Sequence, residues 1–478
     1  MASQVVVVGG GISGLAAAHR LQTAGAKVVV VEGSPRLGGK VLTEHIDGFL
    51  VEGGPDSFVA AKGAVLALAD ELGLTTRVIS SRSEHRGSFV WWRGGLHPLP
   101  DGLLLMAPSR LGPLFGSSLL SWKGKLRVLA DLMIPRTRHD GDESLESFVV
   151  RRLGREVLDR IAEPLIAGIH AAEPATMSLR ASFPRFLDME QRHRSLILAA
   201  RSASQGPAVA NGLSYFASFE DGMSELSEAL AQKLVDADLR TGVEVTQLTD
   251  DAGGGYRLTL SDGTELPARG VVVATPAAVT AELLSEIAPD AATALAGIHQ
   301  VSTSTVTLGF RITDIPRLSG SGFVIPSAAR RRIMGVSYLS QKWEGRVPNP
   351  QFALLRAFVG GPAGQELARE DPERLQAVVQ EELEALVGIS ARPVLARVHS
   401  WEGGLHQYTL GHVERVERAE SALVSRPGLA LAGAAFHGIG LNECVDSGRR
   451  AAQTVLSSIS PGPAPPVVRV STQEGGAD

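Results

Sequence analysis

The chain contains a single cysteine, Cys444, among 478 residues. One thiol excludes a disulfide framework and a cysteine-built metal site, and it fits a reducing compartment. Charge of one sign is lacking as well: the net charge is −5 and no long basic run occurs, so no nucleic-acid partner is expected. No uninterrupted apolar stretch reaches the roughly 18 residues that suggest a membrane span. The first strand begins within the opening residues, which leaves no room for a signal peptide, and a cytoplasmic location is expected. No Ser–His–Asp arrangement stands out among the 12 histidines. What remains is the composition of an ordered globular protein, 44 % hydrophobic and 20 % charged. The length suggests two or three domains. The 53 glycines and 26 prolines indicate many turns, as where a chain crosses repeatedly between domains.

Residues 5–39 (VVVVGGGISGLAAAHRLQTAGAKVVVVEGSPRLGG) organise the rest. The valines at 5–8 predict a parallel strand buried on both faces. Gly9, Gly11 and Gly14, with Gly10, Ile12 and Ser13 between them, stand in G-x-G-x-x-G spacing where a helix begins. The first glycine permits a tight turn, the second lets a pyrophosphate approach the backbone, and the third lets helix and strand pack closely. The helix N-terminus supplies the anion site. The helix is predicted to reach about Leu21, and a second valine strand ends in Glu32, where a ribose-binding carboxylate belongs. Strand, turn, helix, strand and acid in this order predict a dinucleotide site. The loop that follows, Ser34-Pro35-Arg36-Leu37-Gly38-Gly39-Lys40, is basic and glycine-rich and would lie over the same phosphates. NAD-dependent dehydrogenases usually continue into a helix here. Large flavoproteins of the amine oxidase superfamily carry an R-x-G-G loop that this stretch resembles, so FAD is the expected cofactor.

Further along, Gly53, Gly54 and Pro55 would bring backbone close to the isoalloxazine, with Asp56 and Ser57 behind. The fold class expected is α/β: a Rossmann-like FAD-binding domain with an antiparallel-sheet substrate domain and a helical insertion. The first is assigned to residues 1–75, 212–290 and 395–460, the second to 76–84 and 291–394, and the insertion to 85–205. A hairpin at 88–99 opens the insertion, whose apolar, Lys/Arg-edged helices would suit peripheral contact with the inner face of a membrane; helices of this kind also pack into ordinary cores. Residues 202–211 read as a loop and 461–478 as a disordered tail.

Several strings resemble the porphyrinogen oxidases of haem biosynthesis. They are FLVEGGPDSF at 49–58, EPLIAGIHA at 163–171, HRSLIL at 193–198 and GAAFHGIGLNECVD at 433–446. The resemblance covers residues 4 to about 457. It implies one non-covalent FAD, a tetrapyrrole substrate, six electrons removed in three cycles with hydride passing to flavin N5, and dioxygen as acceptor. It implies no metal and no certain catalytic acid or base, and His399, His406 and His412 are expected in loops or at the surface. Flavin contacts carried over include residues 9–14, Glu32, Arg36, Gly38, Gly39, Gly53, Gly54, Pro55 and Asp56. Val245 joins them on the adenine side, Trp401 near the flavin, and Leu441, Asn442 and Glu443 under its pyrimidine edge. On the substrate side, Gly168 offers a backbone carbonyl with Ile169 beside it, Lys62 suits a propionate, and Met334 sandwiches the ring. Plant and animal members place an arginine for a propionate where this chain has Ser88, and that absence is typical of the branch that oxidises coproporphyrinogen III rather than protoporphyrinogen IX. The run Arg330, Arg331, Arg332 would supply charge instead, or is a solvated loop. An amine oxidase would share the FAD domain but usually shows a paired aromatic cage, for which 4 tyrosines and 5 tryptophans offer little. A non-enzymatic FAD or NAD sensor would need no large apolar cleft.

Overall fold

The computed structural model describes residues 4–459 apart from 86, 105, 138–140, 204–212, 362 and 363. The expected tail at 461–478, and nearly all of the loop at 202–211, lie outside the described residues.

Five parallel strands form the nucleotide sheet, in the order Asp238–Thr241, Lys27–Glu32, Gln4–Val8, Gly270–Val273, Leu429–Leu431. Three of them are valine runs because both faces are covered. Side chains alternate across a strand. Val5, Val7, Val28 and Val30 therefore join one core with the helices Ile12–Thr23 and Leu441–Ile459. Val6, Val8, Val29 and Val31 join another, under the meander Val245–Asp250, Tyr256–Leu260, Glu265–Ala268. The first and last helices cross so closely that a Cβ at Gly448 would collide with the Ser13 carbonyl. The two ends of the chain are thereby locked together beneath the cofactor turn.

The second layer is a seven-stranded sheet in the order Leu395–His406, Gln300–Arg311, Phe352–Gly360, Gly335–Tyr338, Gly322–Val324, Phe89–Trp92, Gly95–Pro98. All neighbours are antiparallel except Gly322–Val324 with Phe89–Trp92. Helix Pro372–Val387 covers one face through Leu375, Val379 and Leu383.

Three boundaries differ from the sequence reading. Leu395–His406 pairs along Gln300–Arg311 and belongs to the large sheet, not to the nucleotide layer. The hairpin at 89–98 extends the same sheet instead of opening the insertion. Val78–Ser80 pairs with Phe216–Phe219 in a small sheet that also holds Phe58–Val59, and meets the large sheet through side-chain packing of Ile79. In each case the partner strand lies more than 80 residues away and leaves no mark on local pattern.

The insertion, from Leu111–Gly116 to Leu196–Ala203, has its own apolar core. At its centre Arg152 and Asp131 are both fully buried, with Nε donating to Oδ1 at 2.7 Å. Asp131 also accepts from the Ser195 hydroxyl at 2.6 Å and the Ile197 amide at 3.1 Å, which compensates for burying its charge. A π turn, Leu158–Ala162, re-aims the chain into the helix Glu163–His170. No helix among the described residues is long and apolar enough to cross a membrane.

Candidate functional site

The three glycines of the first turn have three different surroundings. Gly9 has φ +103°, and a Cβ there would meet the Ala274 carbonyl at 2.8 Å. At Gly14 a Cβ would collide with the Gly9 carbonyl, whereas at Gly11 it would meet no protein atom within 4 Å. Gly11 thus marks the face that a phosphate would approach. Ile12 and Ser13 are buried and leave only backbone to offer. The second glycine loop lies on the first: the Gly38 amide donates to the Gly10 carbonyl at 2.8 Å, and a Cβ at Gly39 would stand 3.0 Å from the Gly11 Cα. Arg36 holds that loop by donating to the Gly39, Val41 and Leu37 carbonyls. The Glu32 carboxylate accepts from the Gly10 amide at 2.6 Å and the Ser34 amide at 2.9 Å, one bond per oxygen, leaving lone pairs for hydroxyl donors. Gly242 and Val243 donate to the Ser34 and Glu32 carbonyls, which brings buried Val245 to this corner.

The sequence reading places Lys40 at the end of the basic loop over the phosphates, directly after the R-x-G-G string. Lys40 has no ion-pair or hydrogen-bond partner among the described residues, and burial lowers its pKa. A half-buried ammonium without a protein partner among the described residues, at the end of the glycine loop, fits an anionic cofactor.

Opposite this cradle, the loop at 53–56 is pinned by the large sheet. The Trp401 indole N–H donates to the Gly53 carbonyl at 2.9 Å, and the Thr305 hydroxyl reaches the same oxygen at 3.3 Å. The Gly54 carbonyl accepts from Arg356, which is 4 % exposed and stacks on Phe358. Pro55 leads to Asp56, which pairs with Lys342 at 2.8 Å. Burial would raise the Asp56 pKa, but Lys342 and Arg356 outweigh it and hold the carboxylate ionised. Arg356 was missed, yet a lone charge inside the apolar strand FALLRAFVG is a visible signal of a buried partner. Lys342 carries no such signal.

Leu441, Asn442 and Glu443 form the first turn of Leu441–Ile459. Buried Asn442 accepts from the Val65 amide and donates to the Val59 carbonyl, each at 3.0 Å, tying the helix start to the segment carrying Lys62. Lys62 is ion-paired with Glu443. Gly168 lies in the last turn before Ala171 (φ +45°) ends its helix, so its carbonyl is among those a helix end leaves without an intrahelical donor. Ile169 beside it is 48 % exposed. A Cβ at Gly168 would lie 3.7 Å from Val324, and one at Gly361 would lie 3.4 Å from the Met334 sulfur and 3.5 Å from the Ala171 carbonyl. Helix end and large sheet thus meet as two walls, with Lys62 on the nucleotide side.

Two expectations need correction. Arg331 pairs with Glu382 at 3.1 Å, and Arg332 with Glu382 and Glu381 at 2.9 Å each, so the outer helix neutralises both. Arg330 alone of that run has no acidic partner among the described residues. His399, His406 and His412 are buried, not at the surface: strand pairing draws the first two inward, and His412, at the start of the helix His412–Leu423, stacks on Tyr408. Burial brings the pKa of His406 down to about 3 and that of His412 to about 4. His406 accepts from the Ala277 amide, His412 binds the Phe436 carbonyl, and His399 faces Glu44. Ser88 sits 3.1 Å from the Ser321 hydroxyl at a strand edge.

The sequence pattern of the flavin containing amine oxidoreductases matches residues 12–456. The chain belongs to that family. It is 36 % identical to the coproporphyrinogen III oxidase of Propionibacterium freudenreichii subsp. freudenreichii over 95 % of this chain and 91 % of the relative. It is 35 % identical to the protoporphyrinogen oxidase of Bos taurus over 96 % of this chain and 99 % of the relative. A solved structure from Exiguobacterium sp. 255-15, provisionally assigned as a protoporphyrinogen oxidase, superposes with TM-score 0.84 at 32 % identity, covering 95 % of this chain and 99 % of that one. Within the flavin family the chain therefore groups with the porphyrinogen oxidases, and its cofactor is FAD. The open face at Gly11, the stacked glycine loops and Lys40 fit that cofactor.

Proposed function

We propose that this flavoenzyme oxidises coproporphyrinogen III to coproporphyrin III, with dioxygen as the final acceptor. The observation that supports the reading is Lys62, a half-exposed cation on the segment that Asn442 ties to the start of the last helix. Bound FAD supplies a two-electron acceptor for each of three successive oxidations. The protein's residues bind and orient. Ile169 and Met334 would hold the macrocycle flat, the Gly168 carbonyl would face pyrrole N–H donors, and Lys62 would meet a propionate. Aromaticity of the product drives the sequence, so no dedicated acid or base is required.

Coproporphyrinogen III carries four propionates and protoporphyrinogen IX two, with vinyl groups in place of the others. Burying an unpaired carboxylate is costly. Lys62 and the free Arg330 favour the four-propionate substrate, and Ser88 withholds the arginine on which the two-propionate branch relies. Steady-state assays on both substrates should give the higher kcat/KM for coproporphyrinogen III; a clear preference for protoporphyrinogen IX would reverse the assignment. The purified protein should be yellow and should release its flavin in denaturant.

Peripheral membrane contact through the insertion is the matching proposal for location. Trp122, Leu126 and Met133 are 71, 60 and 83 % exposed, and exposed Lys123 lies beside them. Sedimentation with vesicles containing anionic lipid should carry the wild type down and leave Trp122→Ser in solution. Equal behaviour of the two would reject the contact.

A further inference from the structure

Lys62 and Glu443 lie 381 residues apart in sequence and meet at the nucleotide-side edge of the cleft. The Lys62 side chain is 52 % exposed and that of Glu443 22 %. The carboxylate is seated over a glycine turn, since a Cβ at Gly438 or Gly440 would collide with the Glu443 side chain. Asn442, next in the chain, is held on both sides by the segment leading to Lys62, so the two elements cannot drift apart. Across the cleft, His170 ends the helix that carries Gly168. Burial, with Lys62 adding to it, lowers the His170 pKa to about 4, so this imidazole stays neutral near pH 7 and offers Lys62 no anion.

We propose that Glu443 is a built-in competitor for the substrate: its carboxylate occupies Lys62 until a propionate exchanges for it. The inference rests on the reading of Lys62 as a propionate partner and goes beyond it. One ammonium cannot fully satisfy two carboxylates, so an arriving propionate either displaces Glu443 or shares Lys62 against like-charge repulsion. A pair this exposed is worth a factor of about two to five in an equilibrium constant. Glu443 therefore weakens binding of a charged propionate by about that factor and leaves a vinyl or an ester untouched. It also lets Lys62 be retaken when the product leaves.

The test titrates the holoenzyme with coproporphyrin III and with its tetramethyl ester, following quenching of porphyrin fluorescence. The expected result is that Glu443→Gln binds the free acid about two- to fivefold more tightly and the ester unchanged. Lys62→Ala should weaken the acid. If Lys62→Ala weakens the acid but Glu443→Gln does not tighten it, the competition is refuted and the propionate reading stands. If Lys62→Ala leaves the acid unchanged, the propionate reading fails and takes the competition with it. Equal tightening of acid and ester would mean a wider cleft and would also refute the competition. Gly440→Ala, whose methyl group would push the Glu443 carboxylate off its seat, should reproduce the gain with the acid side chain still present; no gain in a flavin-loaded Gly440→Ala would count against the competition independently.

Discussion

Gly11 and Gly14 are the same residue in the same turn, yet they do different work. The backbone at Gly11 has φ −70° and ψ 176°, which any residue adopts, and a side chain there would meet open space. Gly11→Val should therefore fold with nearly unchanged stability and lose most of its flavin, because the added carbons occupy the pyrophosphate face. Gly14→Ala meets the Gly9 carbonyl instead. Overpacking of this kind costs about 1–3 kcal/mol, so that variant should unfold at lower denaturant even when saturated with FAD. Flavin content and urea midpoints, measured side by side, check both. A Gly11→Val protein that keeps its flavin would remove the turn from the cofactor site.

At the level of elements, the start of the last helix couples cofactor and substrate sides. Asn442 is 3 % exposed and satisfies both the Val65 amide and the Val59 carbonyl. Asn442→Ala leaves a buried donor and a buried acceptor without partners, at about 1–3 kcal/mol each. If the same turn meets the cofactor, as the family resemblance implies, the expected outcome is a lower urea midpoint together with weaker FAD retention. Loss of stability with flavin affinity intact would show the turn to be structural only. The large sheet plays the corresponding part for the loop at 53–56. Trp401, Thr305 and Arg356 stand on three adjacent strands and converge on two neighbouring carbonyls, which fixes the peptide planes of that loop.

For the whole molecule, the seams between layers carry glutamates whose burial raises their pKa to about 7. Glu52, 1 % exposed, accepts from Thr43 and from the Met223 amide. Glu163 joins the insertion to the large sheet through the Ser327 amide. A carboxyl raised from 4.5 to about 7 binds its proton more tightly in the folded state. Its contribution to stability therefore falls as pH rises between those two values and stays reduced above them. The buried histidines, lowered from 6.5, act in the opposite sense below that pH. Comparison with Glu52→Gln isolates the carboxyl: the variant's stability relative to wild type should increase from about pH 5 to about pH 8. A difference independent of pH would mean that Glu52 stays ionised in the fold.

How far the sequence reaches follows from the range of the forces involved. The valine strands, the glycine turn, Glu32 and the R-x-G-G loop lie within 40 residues of one another; their spacing determined the Rossmann-like dinucleotide layer, and the resemblance of the R-x-G-G loop pointed to the flavin. Many helices and short strands elsewhere were legible as well, because periodicity and turn residues act over a few positions, although the strands Leu395–His406, Val78–Ser80 and Phe216–Phe219 were not. Partnership was not. That Leu395–His406 joins the large sheet, that Glu381 and Glu382 cancel Arg331 and Arg332, and that His399, His406 and His412 are buried depend on contacts between segments far apart in the chain. The same holds for Arg356 on the Gly54 carbonyl and for Lys62 against Glu443. Local pattern sets which elements form and what chemistry each carries. Only the packed tertiary structure decided which charges neutralise each other and which remain free for a ligand, because a charge's partner is set by distance in space.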